Sequence, residues 1–267
     1  MLQVQELTGP RDAIEAPPSL AIRLLGNFEL LQAGSPVAIV NGGKLEALLS
    51  LLALRYDRPV PRDTILDLLW PNHDATLAGQ SLCSVVYSLR RQLGQAGAPL
   101  ILYAQGCYGI NPAADVRIDS ACFDALVQDG DRCRRAGDPT AALVAYGRAV
   151  ALYRGDLWLG LDVAAVVERE RLRARYLTVL ARLADRHYAQ GEYTDCLDYA
   201  GRLLVGDPCR EDAHRLMMRC YLRRGERAQA LRQYQLCVAL LRAEFDTVPE
   251  QATTALYEQV RCDPAAV

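Results

Sequence analysis

The chain has 267 residues, a formal net charge of −2 and a hydrophobic fraction of 51%. This length predicts one or two domains with a sizeable core, and the near-neutral charge argues against strong non-specific affinity for nucleic acid. No apolar run approaches the ~20 residues that a transmembrane helix requires. Residues 1–18 contain acids where a secretory signal is basic. We therefore expect a flexible lead-in there and a cytoplasmic protein.

The nine cysteines and three histidines give no sign of a metal site. No C-x-x-C pair occurs and no histidine lies near a cysteine cluster, which argues against zinc ligation or a disulfide framework. We predict small buried thiols in a reducing compartment. Gly42-Gly43-Lys44 lacks the rest of a phosphate-binding loop, because Leu45 follows the lysine. Neither a metal nor a cofactor is expected, and no nucleophile–base arrangement indicates an enzyme.

An amino-terminal domain is predicted over residues 19–112. Three short runs separated by turn residues indicate a β-meander at residues 20–25, 28–32 and 36–40. Apolar residues at helical spacing predict a helix at residues 44–56. A second helix is expected to open at Pro61, where the missing N–H is tolerated, and to stop at Pro71.

A third helix is the most informative segment of this domain. Over residues 76–93, apolar side chains at helical spacing form one face, while the opposite face is polar and free of acids. A β-hairpin is predicted directly after it, at residues 100–103 and 107–110, turned at Gln105-Gly106. A helix with an uncharged or basic outer face, followed by a hairpin, is typical of a major-groove reader with a wing beside it.

The residue types on this helix define candidate DNA contacts. Gln and Ser can hydrogen-bond base edges, Tyr can contact phosphate or a thymine methyl, and Arg can pair with guanine or phosphate. The base-facing candidates are Gln80, Ser81, Ser84, Tyr87, Ser88 and Arg91. The backbone-phosphate candidates are Lys44, Arg62 and Arg90, and the wing candidates are Gln105 and Tyr108. The alternative is a solvated surface whose two arginines are favoured by the helix dipole alone.

A carboxy-terminal domain, residues 113–267, is predicted to be helical and repetitive. Segments that begin at Gly137, Gly191 and Gly225 share a small sixth residue and a leucine at the seventh position. The last two begin 34 residues apart, the period of tetratricopeptide helix pairs. The wider first interval predicts an insertion around residues 154–167. Such repeats are scaffolds whose concave face binds a partner.

Two further groups in this domain are predicted to be structural. Tyr146, Tyr199 and Tyr234 are expected to fill the repeat core. The acids and arginines of residues 168–175 are expected to form mostly solvated pairs at i,i+3 and i,i+4 spacing. A catalytic carboxylate pair in this stretch lacks supporting residues.

The order of these elements resembles a known pairing of domains. The meander, three helices and hairpin are similar to the OmpR-type winged helix-turn-helix, and the repeats are similar to the bacterial transcriptional activation domain of tetratricopeptide type. Together, over residues 20–261, they resemble the SARP-type antibiotic regulatory activators. The most specific pieces are Leu69-Trp70, Leu89-Arg90-Arg91-x-Leu93, Gly106 with Tyr108, and Ile118-Asp119 to Phe123. The expected fold class is mainly α, with an α+β winged domain followed by an all-α repeat domain.

This resemblance implies a function. The third helix would read the major groove, the hairpin would reach the neighbouring minor groove, and the helical domain would support a homodimer. Such regulators bind direct repeats in double-stranded promoter DNA, contact the sigma-factor region of RNA polymerase holoenzyme, and activate secondary-metabolite genes. Three departures weaken the expected phosphate contacts: Glu46 stands where a basic residue is usual, Gly109 stands where the wing has arginine, and Pro61 replaces the usual Ser or Thr cap. They leave open a protein-interaction adaptor whose winged domain has weak or lost DNA binding.

Overall fold

The computed structural model describes residues 19–38, 42–93, 99–157 and 163–262. Three sequence predictions fall outside these residues in whole or in part. They are the lead-in at residues 1–18, the end of the third strand at residues 39–40, and Trp158 within the predicted insertion.

The described residues form two compact units. The first unit ends at Ile118, and the second begins at Asp119 and includes the short segment Leu24–Asn27. No helix among the described residues is both long and apolar enough to span a lipid bilayer.

Over the residues that the structure describes, the first unit contains two small sheets and three helices. Its strands are β1 Leu20–Arg23, β2 Glu29–Gln32, β3 Ser35–Pro36, β4 Val60–Pro61, β5 Ile101–Ala104, β6 Cys107–Ile110 and β7 Val116–Ile118. Its helices are α1 Gly42–Leu54, α2 Arg62–Leu69 and α3 Ala75–Gln92. One sheet has the order β3-β2-β1-β7 and the other the order β4-β6-β5. The predicted meander, helices and hairpin are all present.

Strands β4 and β7 lie outside the sequence predictions, because two or three residues are too few to show alternation. β7 pairs in parallel with β1, where Ile118 lies opposite Ile22. This pairing extends the first unit beyond residue 112, the predicted end of the domain. Pro61 belongs to β4 and is the residue before α2, so it precedes the helix rather than opening it.

The helices of the first unit pack through apolar faces. The fully buried members include Leu48, Leu49, Leu52, Ile65, Leu69, Leu82 and Leu89. Burial of one such side chain contributes about 1.5–3 kcal/mol. Asp74 caps α3 by accepting hydrogen bonds from the backbone N–H groups of Thr76 and Leu77. These bonds hold the pKa of the Asp74 carboxyl below its ordinary value. The start and orientation of α3 are thus fixed locally and by the core.

The described part of the second unit contains seven helices. They are α4 Asp119–Arg135, α5 Pro139–Leu152, α6 Val163–Gln190, α7 Tyr193–Gly206, α8 Glu211–Arg223, α9 Arg227–Phe245 and α10 Gln251–Cys262. Gly137, Gly191 and Gly225 turn the chain between the two helices of the hairpins α4–α5, α6–α7 and α8–α9. Their φ angles are 80°, 77° and 76°, a left-handed conformation that favours glycine. The predicted helical repeat is therefore confirmed.

The predicted insertion coincides in part with the length of α6. This helix has 28 residues, compared with 17 in α4 and 13 in α8. Because the extra turns lie within one repeat, they account for part of the wider interval between Gly137 and Gly191. The tyrosines behave as predicted: Tyr146 is buried, and Tyr234 stacks on Tyr257 with ring centroids 4.0 Å apart.

The charged stretch at residues 168–175 differs from its prediction. Asp124 on α4 accepts hydrogen bonds from Arg171 and Arg175 on α6, at 3.2 Å from Arg171 Nη1 and 2.7 Å from Arg175 Nη1. Arg171 also pairs with Glu168 on its own helix at 2.6 Å. The arginines therefore join two helices in addition to forming the expected local pairs. Spacing along α6 cannot reveal an acid contributed by another helix.

Asp119 explains why the Ile118-Asp119 opening is distinctive. Its carboxylate is buried and accepts hydrogen bonds from the backbone N–H groups of Leu24 and Leu25, at 2.7 and 3.0 Å. Burial nevertheless raises the pKa of this carboxyl. The acid therefore binds the segment Leu24–Asn27 to the first helix of the second unit.

Candidate nucleic-acid interface

The outer surface of α3 is polar and lacks acids. Gln80, Ser84, Tyr87 and Arg91 are exposed along one side of the helix, as their spacing predicts. The Tyr87 side chain is 66% exposed. None of the 18 residues of α3 is Asp or Glu. These four exposed residues are called the α3 strip below.

Ser81 and Ser88, also predicted to face DNA, are half-buried at the margin of the strip. The Ser81 hydroxyl donates to the Leu77 carbonyl at 2.9 Å, and the Ser84 hydroxyl donates to the Gln80 carbonyl at 3.0 Å. A hydroxyl that donates within its helix still has an oxygen that can accept. Ser81 and Ser84 are therefore best suited to accept hydrogen bonds from a ligand.

The adjacent arginines at the end of α3 have different surroundings. Arg90 Nη2 donates to the Ile101 carbonyl at 3.1 Å and so joins α3 to β5. Arg91 is exposed and has no hydrogen-bond or ion-pair partner within the part of the chain that the structure describes. No described residue therefore occupies the guanidinium of Arg91, while that of Arg90 is partly used to position the hairpin.

Lys44 is also bound within the first unit. Its Nζ donates to the Leu69 carbonyl and lies 5.6 Å from the centroid of the Trp70 ring. Leu69 is the last residue of α2, whose final carbonyls have no partner within the helix. A positive charge at this position also complements the helix dipole. Lys44 therefore holds α1 against the end of α2, and its phosphate contact stays a prediction.

Arg62 lies against the first half of α3. A Cβ at position 79 would clash with the Arg62 guanidinium, so the arginine can lie here because residue 79 is glycine. Arg62 Nη1 lies 3.6 Å from Asp63 Oδ1, a loose ion pair. An open groove of about 600 Å³ here is lined by Arg62, Ala75, Thr76, Gly79, Gln80 and Cys83. The arrangement presents a guanidinium beside the first residue of the α3 strip.

The predicted wing has the expected turn. Gln105 and Gly106 have φ angles of 50° and 77°, as in a two-residue type I′ hairpin. The backbone N–H of Arg62 donates to the Gly106 carbonyl at 2.9 Å and so anchors the turn to the start of α2. Gln105 is exposed at the tip of the hairpin.

Tyr108, by contrast, does not belong to the candidate surface. Its side chain is 6% exposed and packs against Tyr103, with ring centroids 4.5 Å apart. Burial raises the pKa of its phenol. Because side chains alternate along a strand, Tyr108 and the buried Ile110 share the inner face of β6, a signal available in the sequence. Tyr103, at 52% exposure, is the aromatic side chain that the hairpin presents to solvent.

The sequence reasoning missed some of the exposed side chains on α3. Cys83 is exposed, and Leu77 is 58% exposed. Helical spacing could have located Cys83, which follows Gln80 by three residues and precedes Tyr87 by four. The prediction of buried thiols is wrong for most of the cysteines, since the buried ones are Cys196, Cys220 and Cys237.

One group in the second unit has the composition of a metal site. Ligand atoms of His187, Glu192 and Asp195 lie within 4.8 Å of one another at the turn between α6 and α7. His187 Nδ1 and Glu192 Oε2 are 2.6 Å apart, and the His187 ring stacks on Tyr199. These contacts account for the position of the histidine, and the two acids lie exposed at the start of a helix, where carboxylates are favoured without a metal.

Comparison with known families addresses the second unit directly. Residues 118–261, more than half of the chain, match the bacterial transcriptional activator domain. This chain belongs to that family. The match begins at the last residue of the first unit and includes nearly all of the helical repeat, so the family assignment rests on the repeat and not on the candidate DNA surface.

Two curated relatives of this activator-domain protein are regulatory proteins of Streptomyces. Regulatory protein AfsR of Streptomyces coelicolor is 26% identical over 246 residues, which are 91% of this chain and 24% of AfsR. Regulatory protein DnrI of Streptomyces peucetius is 24% identical over 255 residues, which are 92% of this chain and 93% of DnrI. The chain thus spans about a quarter of AfsR and nearly the full length of DnrI. The resemblance to SARP-type regulators is confirmed at the level of the family.

A solved structure supports the fold of both units of this family member. EmbR of Mycobacterium tuberculosis, determined in complex with a low affinity phosphopeptide, superposes with a TM-score of 0.74 and 22% identity. The match covers 91% of this chain and 65% of the EmbR chain. It confirms the expected fold class, a small α+β domain followed by a helical repeat.

Proposed function

We propose that this family member is a sequence-specific DNA-binding transcriptional activator. The observation that carries the proposal is the α3 strip, which is exposed, free of acids, and ends in an arginine without an intramolecular partner in the described chain. An α-helix fits the major groove of B-DNA, where amide and guanidinium groups pair with base edges. In this proposal Gln80, Ser84 and Arg91 read bases, and Tyr87 contacts a phosphate or a thymine methyl.

Phosphate anchoring in this proposal comes from groups that the fold already positions. Arg62 presents its guanidinium in the groove beside Gln80. Arg90 uses Nη2 on Ile101, and since a guanidinium has five N–H donors, the remaining ones are available to a phosphate. Lys44 likewise has three donors and uses one on Leu69. Arg90 and Lys44 would each use one N–H donor within the protein and the others on a phosphate of the DNA backbone.

The wing would contribute less than the helix. Residues 101–110 contain no Lys or Arg, so the hairpin can offer only Gln105 and Tyr103 to the neighbouring minor groove. Minor-groove contacts are usually made by arginine, lysine or amide side chains. Affinity would therefore depend on α3 and on the binding of more than one copy.

The partners proposed here rest on the family and on the resemblance to SARP-type regulators. Two copies would occupy direct repeats upstream of a promoter, assisted by contacts between their helical units. The activator would recruit RNA polymerase holoenzyme through its sigma-factor region, in the cytoplasm. The regulated genes would be those of secondary-metabolite biosynthesis.

One set of observations favours a second candidate, a protein-interaction adaptor that uses its repeats. Lys44 and Arg90 each make intramolecular bonds, Glu46 lies on α1, and Gly109 leaves the wing uncharged. Because phosphate contacts supply much of the affinity of DNA-binding proteins, a winged domain with few free cations could have lost this activity. The two candidates differ in whether the folded protein selects a DNA sequence.

Selection from random DNA separates the two functions. The full-length protein would be incubated with a library of random duplexes, and bound DNA recovered over several rounds at fixed salt. An activator should enrich a direct repeat with half-sites spaced by about one helical turn, 10–10.5 bp. If the protein is folded, as judged by circular dichroism, and enriches no sequence, the adaptor is favoured.

Cys83 then reports which surface binds the selected duplex. It is exposed and lines the groove beside Gln80, so bound DNA should slow its alkylation by iodoacetamide at least several-fold. Cys262, exposed on α10, is the internal control and should react at the same rate with and without DNA. Enrichment of a sequence with no protection of Cys83 would show that a different surface binds DNA.

A further inference from the structure

Two thiols of the second unit lie in direct contact within its core. The Sγ atoms of Cys196 on α7 and Cys220 on α8 are 3.2 Å apart, although the residues are 24 positions apart in sequence. Both side chains are fully buried. We propose that Cys196 and Cys220 are a site of reversible oxidation, where hydrogen peroxide converts the two thiols into a disulfide that joins α7 to α8.

The packing around the sulfurs favours this bond. A disulfide has an S–S distance near 2.05 Å, so the sulfurs must approach by about 1 Å. Both cysteines belong to a core cluster that also contains the buried residues Ala184, Ala200 and Leu216. The Sγ–Sγ distance of 3.2 Å shows that the two side chains already meet.

The contact also favours ionisation of one thiol. A hydrogen bond from one thiol stabilises a thiolate on the other sulfur, and the thiolate is the nucleophile. The pair therefore supplies an attacking sulfur and, 3.2 Å from it, a resolving thiol.

The reaction balances as follows for one peroxide and two thiols. The thiolate of one cysteine attacks one oxygen of hydrogen peroxide, the O–O bond breaks, and hydroxide leaves with the thiol proton as water, giving a sulfenic acid. The sulfur of the second cysteine then attacks the sulfenic sulfur, and the S–O bond breaks to release a second water as the proton of the second thiol is lost. Two electrons pass from the sulfurs to the peroxide, which is fully reduced to water.

The bond would join neighbouring repeats rather than the two helices of one repeat. α7 closes the hairpin α6–α7, and α8 opens the hairpin α8–α9. In repeat proteins the interface between neighbouring repeats is a main source of stability. Closing a loop of this length should raise the thermal midpoint of the second unit by roughly 5–10 °C. Oxidation would thus stiffen the middle of the repeat domain.

Tryptic mapping tests the bond directly. The protein would be treated with hydrogen peroxide and then denatured in the presence of iodoacetamide, which alkylates the remaining thiols. It would then be digested with trypsin without reduction. Cleavage after Arg186, Arg202, Arg219 and Arg223 places each cysteine alone in its peptide, residues 187–202 and 220–223. Mass spectrometry should find these two peptides linked in most molecules, and dithiothreitol should separate them. Recovery of both peptides alkylated, or of Cys220 as a sulfinic acid without the link, would overturn the proposal.

Cys237 provides an internal control. It is buried like the pair, but burial raises the pKa of its thiol to about 11, so its peptide, residues 233–242, should be recovered alkylated after the same treatment. Peroxide modification of Cys237 to the same extent as the pair would indicate general oxidation and would contradict a specific site.

The variant Cys196→Ala is the matched substitution. Ala142 and Ala230 occupy the equivalent position in the other two repeated segments, and both are buried, so alanine fits this site. The variant should fold and keep its thermal midpoint when treated with peroxide, while the midpoint of the unsubstituted protein rises. A peroxide-dependent rise that persists in Cys196→Ala would refute the disulfide as its cause.

Discussion

Helices α3 and α6 both carry arginines, and the two helices differ in what surrounds those arginines. On α6, Arg171 and Arg175 meet Asp124 from α4. On α3, Arg91 meets no partner among the described residues, and the helix itself contains no acid. The same side chain therefore serves packing in one unit and is available for binding in the other. The difference lies in the carboxylates supplied by neighbouring helices.

This contrast has an energetic meaning. An arginine paired with a partly buried carboxylate has lost rotamer freedom and hydration in exchange for charge-assisted hydrogen bonds. An unpaired exposed arginine keeps its rotamer freedom and its hydration until a phosphate or a guanine replaces the bound water. We expect substitutions on α6 to change stability and substitutions on α3 to change affinity.

The largest expected effect is on DNA affinity. Arg91→Ala should weaken binding to the selected duplex by about 10- to 100-fold, because an arginine contact to a base contributes about 1–3 kcal/mol. The free energy of unfolding should change by less than about 0.5 kcal/mol, as for other exposed sites. Fluorescence anisotropy titrations at several salt concentrations measure the first quantity, and urea denaturation measures the second.

The control for this variant is Arg148→Ala, which removes an exposed arginine from α5. It should leave the affinity unchanged. If Arg91→Ala and Arg148→Ala bound the duplex equally well at every salt concentration, the α3 strip would not be the reading surface.

The second effect is on stability. Asp124→Ala removes the acceptor shared by Arg171 and Arg175 and should lower the free energy of unfolding by about 1–2 kcal/mol, after allowance for the partial exposure of these groups. DNA affinity should be unaffected when the protein is folded. Chemical denaturation followed by circular dichroism measures the loss.

Glu170→Ala is the comparison for Asp124→Ala. Glu170 is more than half exposed and makes only loose ion pairs with Arg169 and Arg173, at 3.5 and 3.9 Å. Its removal should cost less than about 0.5 kcal/mol. If the two substitutions lowered the free energy of unfolding equally, the ion pairs between α4 and α6 would stabilise the protein no more than a solvated ion pair does.

The third effect is a pH dependence confined to the second unit. His214 is fully buried, Nε2 donates to the Pro208 carbonyl, and Nδ1 accepts from Gln233. Burial lowers the pKa of His214, so the unfolded chain binds its proton more readily. Stability from this group is complete above the unfolded pKa of about 6.5 and is lost as the pH falls below it, by at most about 1.4 kcal/mol per pH unit.

His214→Gln removes this titration. The variant should lose the part of the pH slope between about pH 5 and 7 that belongs to histidine, whatever its stability at pH 8. The difference between the two proteins isolates His214 from Asp119, whose raised pKa has the opposite effect. Parallel stability curves for the two proteins would mean that His214 titrates normally in the folded state.

The smallest expected effect is a gain in DNA affinity from a substitution in the wing. Gly109 has ordinary backbone geometry, and a Cβ there would lie 3.6 Å from the Pro59 Cα, a normal contact. Gly109→Arg should therefore fold and improve DNA affinity a few-fold, with a salt dependence steeper by about 0.9 because one more phosphate is neutralised. Gly109→Gln, which adds length without charge, should leave the salt dependence unchanged. An identical slope for both variants would mean that the hairpin does not approach DNA.

The sequence predicted the exposure of four candidate residues for a clear reason. Gln80, Ser84, Tyr87 and Arg91 are exposed because a helix repeats every 3.6 residues, and the same rule would have placed Cys83 among them. Tyr108 was named as a wing candidate but is buried, and its burial could have been predicted, since alternation along β6 puts it on the side of Ile110. These outcomes depend on local periodicity alone.

Contacts between elements could not be predicted in the same way. The bonds from Lys44 to Leu69, from Arg90 to Ile101 and from Arg171 to Asp124 join residues on different elements. So does the contact between Cys196 and Cys220. A single sequence shows which donors and acceptors each element carries. It does not show which of them pair across different elements.

For this protein, local pattern determined the order of the elements, the helical repeat with its turning glycines, and the acid-free face of α3. These features arise from backbone periodicity and from the φ angles that glycine allows, which act over a few residues. Tertiary structure alone decided which arginines are neutralised and which thiols touch. Those outcomes depend on packing between distant segments, where one opposing carboxylate or one small residue such as Gly79 changes what a side chain can do.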